Sequence, residues 1–141
     1  MAKKYLHKDF HGALSYGLEF LARRYGRRAL DEYLRAATKV IYRDLIAQIR
    51  RRGLKALAEY WRKMYSTEGA VFKLNEAPGA LELTIAQCPA LKHMRKAGYK
   101  IYADFCRQTK IVNAEIAALT GYQSKVVANQ KKARCRQRFY K

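Results

Sequence analysis

The feature that most constrains this chain is a change of hydrophobic period at about residue 70. Before it, apolar residues recur at helical spacing. Phe10, Leu14, Leu18, Leu21 and Tyr25 make one stripe, closed by Gly26, with Asp9 placed to cap it. Leu30, Leu34, Ala37, Ile41, Leu45 and Ile49 make a second. Asp31 and Glu32 in its first turn and Arg50, Arg51 and Arg52 in its last suit the helix dipole. Leu54, Leu57, Ala58, Trp61, Met64 and Tyr65 make a third, which ends near Glu68-Gly69. After it the period drops to two. Phe72 and Leu74 alternate with polar residues, a turn signal runs from Asn75 to Gly79, and Leu81, Leu83 and Ile85 alternate with Glu82 and Thr84. That pattern predicts a β-hairpin with one buried face.

The remainder repeats the scheme on a smaller scale. Pro89 suits the first position of a helix and Gly98 its stop. A second helical stretch follows and ends at Gly121. Tyr122 to Ala128 and Ala133 to Tyr140 read as strands around the turn Asn129-Gln130-Lys131-Lys132. The expected fold is therefore α+β: three N-terminal helices, a β-hairpin, a helix pair and a C-terminal β-hairpin. Isolated hairpins are marginal, so the two should join in a four-stranded antiparallel sheet covered on one face by helices. A chain of 141 residues is the size of one domain, and no repeat or low-complexity linker divides it. Residues 1–141 thus read as a single domain, with residues 1–8 as a flexible basic start carrying Lys3, Lys4 and Lys8.

Charge is the unusual property. Thirty Lys and Arg face 11 Asp and Glu, giving +19. Such a field attracts nucleic acid, anionic surfaces or anionic small molecules. Arg134, Arg136 and Arg138 fall on one strand face about 7 Å apart, but no recognised nucleic-acid motif accompanies them, so that signal is charge alone. No apolar run approaches 18 residues, so no membrane partner is expected. Residues 1–30 lack the apolar centre of a signal peptide, and three Cys without scaffold spacing suit a reducing compartment, so the expected location is cytoplasmic. A homo-oligomer is left open.

The segment from Cys88 to Asn113 gathers the most reactive groups. Phe105, Val112, Ile116 and Leu119 have core spacing. Tyr102, Cys106, Thr109 and Asn113 fall on an adjacent face that could line a pocket. The plain alternative makes Cys106 a small buried hydrophobe and turns Thr109 and Asn113 to solvent. Cys88 would precede the helix that Pro89 starts, where the dipole lowers a thiol pKa, and could pair with His93 or His11 as a nucleophile. Otherwise it is a capping position. Asp104, beside Cys106, is the candidate general acid or base, or else a solvated helix charge. Cys88, His93, Cys106 and Cys135 have the donor types of a zinc site but no Cys-x2-Cys pair, so no cofactor is expected. The candidate catalytic set is Cys88, His93, Asp104 and Cys106. The candidate substrate contacts are His11, Thr109, Asn113 and Arg138.

A family resemblance rests on Phe10-His11-Gly12-Ala13-Leu14, Tyr25-Gly26, Val40-Ile41-Tyr42, Gly53-Leu54 with Ala56-Leu57, and Cys88-Pro89-Ala90 before His93-Met94. It continues through Gly98-Tyr99, Phe105, Thr109, Val112-Asn113 and Gln137-Arg138-Phe139. Over roughly residues 9–140 the chain resembles the L-2-amino-thiazoline-4-carboxylic acid hydrolases. Members of that family carry more acidic residues on helices two and three, where this chain has Arg27, Arg28, Lys39 and Arg51. The element order is also similar to vinyl-4-reductase-like and trafficking-particle-like domains, some of which hold zinc through cysteines. The hydrolase resemblance implies a small-molecule carboxylate substrate, paired with an arginine. It also implies hydrolytic opening of a cyclic isothiourea to N-carbamoyl-L-cysteine. The alternatives are a basic nucleic-acid-binding module and a non-catalytic ligand-sensing domain.

Overall fold

The computed structural model describes residues 7–141. Most of the expected loose start therefore lies outside the described residues, and Lys8 is anchored, its Nζ donating to the Glu68 carbonyl at 3.0 Å. Four helices come first: α1 Phe10–Tyr25, α2 Arg27–Ile41, α3 Arg43–Arg52 and α4 Leu54–Glu68. The hairpin β1 Val71–Ala77 and β2 Ala80–Gln87 follows, then α5 Pro89–Ala97, α6 Arg107–Thr120 and the hairpin β3 Gln123–Asn129 and β4 Arg134–Tyr140. The fold class is the expected α+β, with a four-stranded antiparallel sheet in the order β1-β2-β4-β3.

Three local expectations are corrected. The long second stripe is two helices, because the backbone leaves helical geometry at Tyr42 (φ −101°, ψ 17°). The burial phase slips there: Ile41 is 70% exposed, while Ile46 and Ile49 carry the buried face onward. Asp9 makes no side-chain cap on α1. Its Oδ1 instead accepts from Tyr99 Oη at 2.7 Å and lies 3.0 Å from His93 Nε2. Residues 99–106 are irregular and turn structure, so Tyr102 does not share a helix with Cys106, Thr109 and Asn113.

The two hairpins join through β2 and β4, with Leu81 opposite Phe139 and Leu83 opposite Gln137. Alternation places Leu81, Leu83, Ile85, Gln137 and Phe139 on the helix-covered face and Arg134, Arg136 and Arg138 on the other. Trp61 of α4 meets Phe139 edge-on at 5.6 Å between ring centres. Burying each such side chain contributes about 1.5–3 kcal/mol. A second cluster, around Leu18, Leu30, Leu91 and Met94, ties α1 and α2 to α5, and Cys88 packs against both clusters. Among the described residues, no helix is long and apolar enough to cross a membrane.

Candidate functional site

A cavity of about 210 Å³ lies between the helices and the covered face of the sheet. Five places in the chain bring its chemistry together. His11 enters from the first turn of α1, which packs closely against the segment after α5. Gly12 permits that approach: a Cβ there would sit 2.9 Å from Tyr99 Cδ2. The Asp9–Tyr99–His93 cluster holds the same turn from outside. Glu68 enters as the last residue of α4. The His11 Nε2 to Glu68 Oε1 distance is 2.6 Å, and both side chains are about 10% exposed. A carboxylate is an acceptor, so Nε2 is the donor of this pair and Nδ1 is the ring nitrogen left clear of Glu68.

The thiols converge from three further places. Cys88 precedes Pro89 of α5, and its N–H donates to the Ala133 carbonyl at 2.8 Å. Ala133 takes a left-handed backbone (φ 54°), which directs this tie between the β3–β4 turn and α5. Cys106 precedes α6, and its N–H donates to Gln130 Oε1 of the same turn at 3.1 Å. Cys135 follows on β4. All three line the cavity. Burial pushes the Cys88 thiol up despite the lowering effect of the Leu91 and Ala90 N–H groups. Burial also raises Cys135, and raises Cys106 to about 11. The expected low-pKa Cys88 is thus corrected: desolvation outweighs the helix N-terminus, and the thiols are protonated at neutral pH.

Asn113 of α6 donates from Nδ2 to Gln137 Oε1 at 2.8 Å, deep in the core, and Gln137 Nε2 donates to Tyr65 Oη at 3.3 Å. Tyr60 is pushed up to about 12 and Tyr65 is raised further, chiefly by burial, with the Glu68 charge adding to both. Both phenols are therefore neutral hydrogen-bond donors. Of the sequence candidates, the cavity lining includes Cys88, Cys106, His11, Thr109 and Asn113. It leaves out His93, Asp104 and Arg138. His93 pairs with Asp9 at the surface. Asp104 accepts from Arg27 Nη2 and lies 3.9 Å from Arg107. Arg138 lies over the Tyr140 ring at 5.0 Å, on the opposite face of the sheet. In each case a tertiary charge or ring partner claims the side chain. With His93 elsewhere, the four-residue zinc set is not assembled, and no group of three or more Cys, His, Asp or Glu among the described residues is arranged to hold a metal.

Sequence reasoning passed over Glu68. The signal was present: an acid in the last turn of a helix opposes the dipole, and this one stands next to a stop glycine in a chain poor in acids. Arg134 borders the cavity at the start of β4, and alternation places it on the outer face of the sheet with Arg136 and Arg138. Comparison with protein-family models, curated proteins and solved structures finds no match.

Proposed function

We propose that this protein is a small-molecule hydrolase that opens a cyclic isothiourea of the L-2-amino-thiazoline-4-carboxylate type. The observation that carries the reading is the His11–Glu68 pair in the wall of the cavity. Glu68 orients the imidazole, and His11 Nδ1 takes a proton from water, the division of labour seen in histidine–carboxylate catalysis. The water oxygen bonds to the ring carbon between nitrogen and sulfur, and the C=N electron pair moves onto the ring nitrogen, which already carries the proton of the protonated ring. The ring C–S bond then breaks as the added hydroxyl becomes the urea carbonyl and gives its proton to solvent, and the leaving sulfur receives the proton held by His11. One water is consumed and N-carbamoyl-L-cysteine is the product.

The cavity's electrostatics fit such a ring. A cyclic isothiourea gains positive charge when protonated, and the Glu68 carboxylate favours that charge in a site with little water. The neutral Tyr60 and Tyr65 hydroxyls are donors for the oxygen that becomes the urea carbonyl. A volume of about 210 Å³ is below the ~300 Å³ of drug-sized sites and suits a single small ring. The thiols, being protonated, enter as packing and polarisable wall and not as nucleophiles.

A second reading, a non-catalytic ligand-sensing domain, is favoured by the largely apolar lining and the absence of a resting thiolate. One experiment separates the two. The protein is mixed with L-2-amino-thiazoline-4-carboxylate, heat of binding is measured by calorimetry, and product is followed by mass spectrometry. Turnover supports the hydrolase. Saturable binding without product supports the sensor. Neither binding nor product removes this substrate class.

A further inference from the structure

We infer that the helix-free face of the sheet is a binding surface for single-stranded nucleic acid, engaged through its phosphates and separate from the cavity. The register places two rows across all four strands. One runs Lys73, Thr84, Arg136, Val127, and the other Asn75, Glu82, Arg138, Lys125. Lys73, Lys125, Arg136 and Arg138 are exposed there, as is Arg134 at the start of β4. Glu82 is the single acid in those rows, 3.8 Å from Arg136. Lys131 and Lys132, both exposed in the β3–β4 turn, carry the positive charge past the end of the strands.

One pairing is only partly compensated within the fold. Lys125 stands directly opposite Arg138 in the β3–β4 ladder. Like charges at directly opposed positions destabilise a sheet. Glu82, on the other side of Arg138, is shared with Arg136, so one carboxylate faces several cations and a bound polyanion would complete the balance. The shape selects the kind of polyanion. Four strands at about 4.8 Å spacing are ~14 Å wide, more than the ~12 Å major groove, which admits one helix or a two-stranded ribbon. A single strand can lie across such a face. Guanidinium forks match phosphate oxygens in pairs. The exposed apolar side chains of the face, Val71 at 55% and Val127 at 58%, stand on the two opposite edge strands and form no continuous patch for insertion into a membrane. Base-reading side chains are also few, so binding without sequence preference follows.

The test is fluorescence anisotropy of a labelled mixed-sequence 20-nucleotide RNA, and of its DNA counterpart, over a range of salt. Single strands give a slope of about −0.7 in log K against log salt per phosphate engaged. The combined Lys125→Gln, Arg136→Gln and Arg138→Gln variant should lose about two units of that slope on both nucleic acids, three contacts at ~0.7 each. A control with Arg23→Gln, Arg24→Gln and Arg28→Gln on α1 and α2 removes the same charge and should leave the slope unchanged. All six side chains are at the surface, and circular dichroism melts establish that both variants fold. Equal losses in the two variants would reduce the effect to diffuse charge and overturn the inference. So would an unchanged slope in the sheet variant. Loss of binding to phosphatidylserine vesicles with nucleic-acid binding intact would assign the face to membranes instead.

Discussion

His11 and Glu68 are 57 residues apart in the chain and 2.6 Å apart in the fold. Neither has another buried side-chain partner among the described residues, so each neutralises the cost of the other. Glu68 sits at the negative end of α4, where its charge is opposed by the dipole and compensated by the imidazole. Replacing Glu68 by Leu strands a buried ring nitrogen, and replacing His11 by Leu strands a buried carboxylate. Each single variant should lose about 1–3 kcal/mol in urea denaturation. The double variant should lose less than their sum, since it strands neither group. Additive losses would mean that the pair is not coupled.

Gly12 gives a purely steric prediction. Gly12→Ala drives a methyl to 2.9 Å from the Tyr99 ring, near the ring's attachment and not at a flexible tip. Overpacking of this kind costs roughly 1–3 kcal/mol. In the background of Tyr99→Ala the same change should cost much less, with thermal melts as the readout. An equal cost in both backgrounds would place the strain elsewhere.

The core bond from Asn113 to Gln137 tests the polar wall. Asn113→Leu removes the donor and leaves Gln137 Oε1 without its 2.8 Å partner. A loss of about 1–3 kcal/mol is expected. Adding Gln137→Leu should recover part of it. Failure of the second change to recover anything would show that Gln137 finds a new partner.

Thiol chemistry carries the pH dependence. The Cys106 pKa is raised to about 11, mainly by burial, so its thiolate forms late. At pH 8 its alkylation by iodoacetamide should run roughly ten- to a hundredfold slower than that of an unperturbed cysteine. Site-resolved mass spectrometry should show the rate still climbing at pH 10. The linkage has a definite sign: a pKa raised on folding contributes stability that is full below the unfolded value and lost as pH climbs towards 11. A labelling plateau near pH 8 would contradict the burial account.

Much of this architecture was legible because period is a local property. The switch near residue 70, the two hairpins and the inward set Cys135, Gln137 and Phe139 follow from alternation alone. The break at Tyr42 was not legible, since tyrosine carries no turn chemistry and the stripe runs through it with a phase slip. The 99–106 segment was misread because Phe105 keeps core spacing without being helical. For the site, the grouping of Cys106, Thr109 and Asn113 was visible as a helix face. The fates of His93, Asp104 and Arg138 were set by Asp9, Arg27 and Tyr140, and sequence spacing does not encode which distant partner a charge finds. Glu68 carried a local signal in its unfavourable place at a helix end, but its partner on another helix carried none.

The most direct measurement of the central claim is the turnover of L-2-amino-thiazoline-4-carboxylate by Glu68→Gln beside the wild type. Glutamine keeps an acceptor for the His11 N–H and removes the charge that stabilises the protonated imidazole. With fold retained by circular dichroism, the account predicts that the wild type releases N-carbamoyl-L-cysteine and that Glu68→Gln lowers kcat by about 10²–10⁴-fold, the usual worth of a positioned base. A Glu68→Gln variant as active as the wild type, or a wild type that leaves the substrate unchanged, would contradict it.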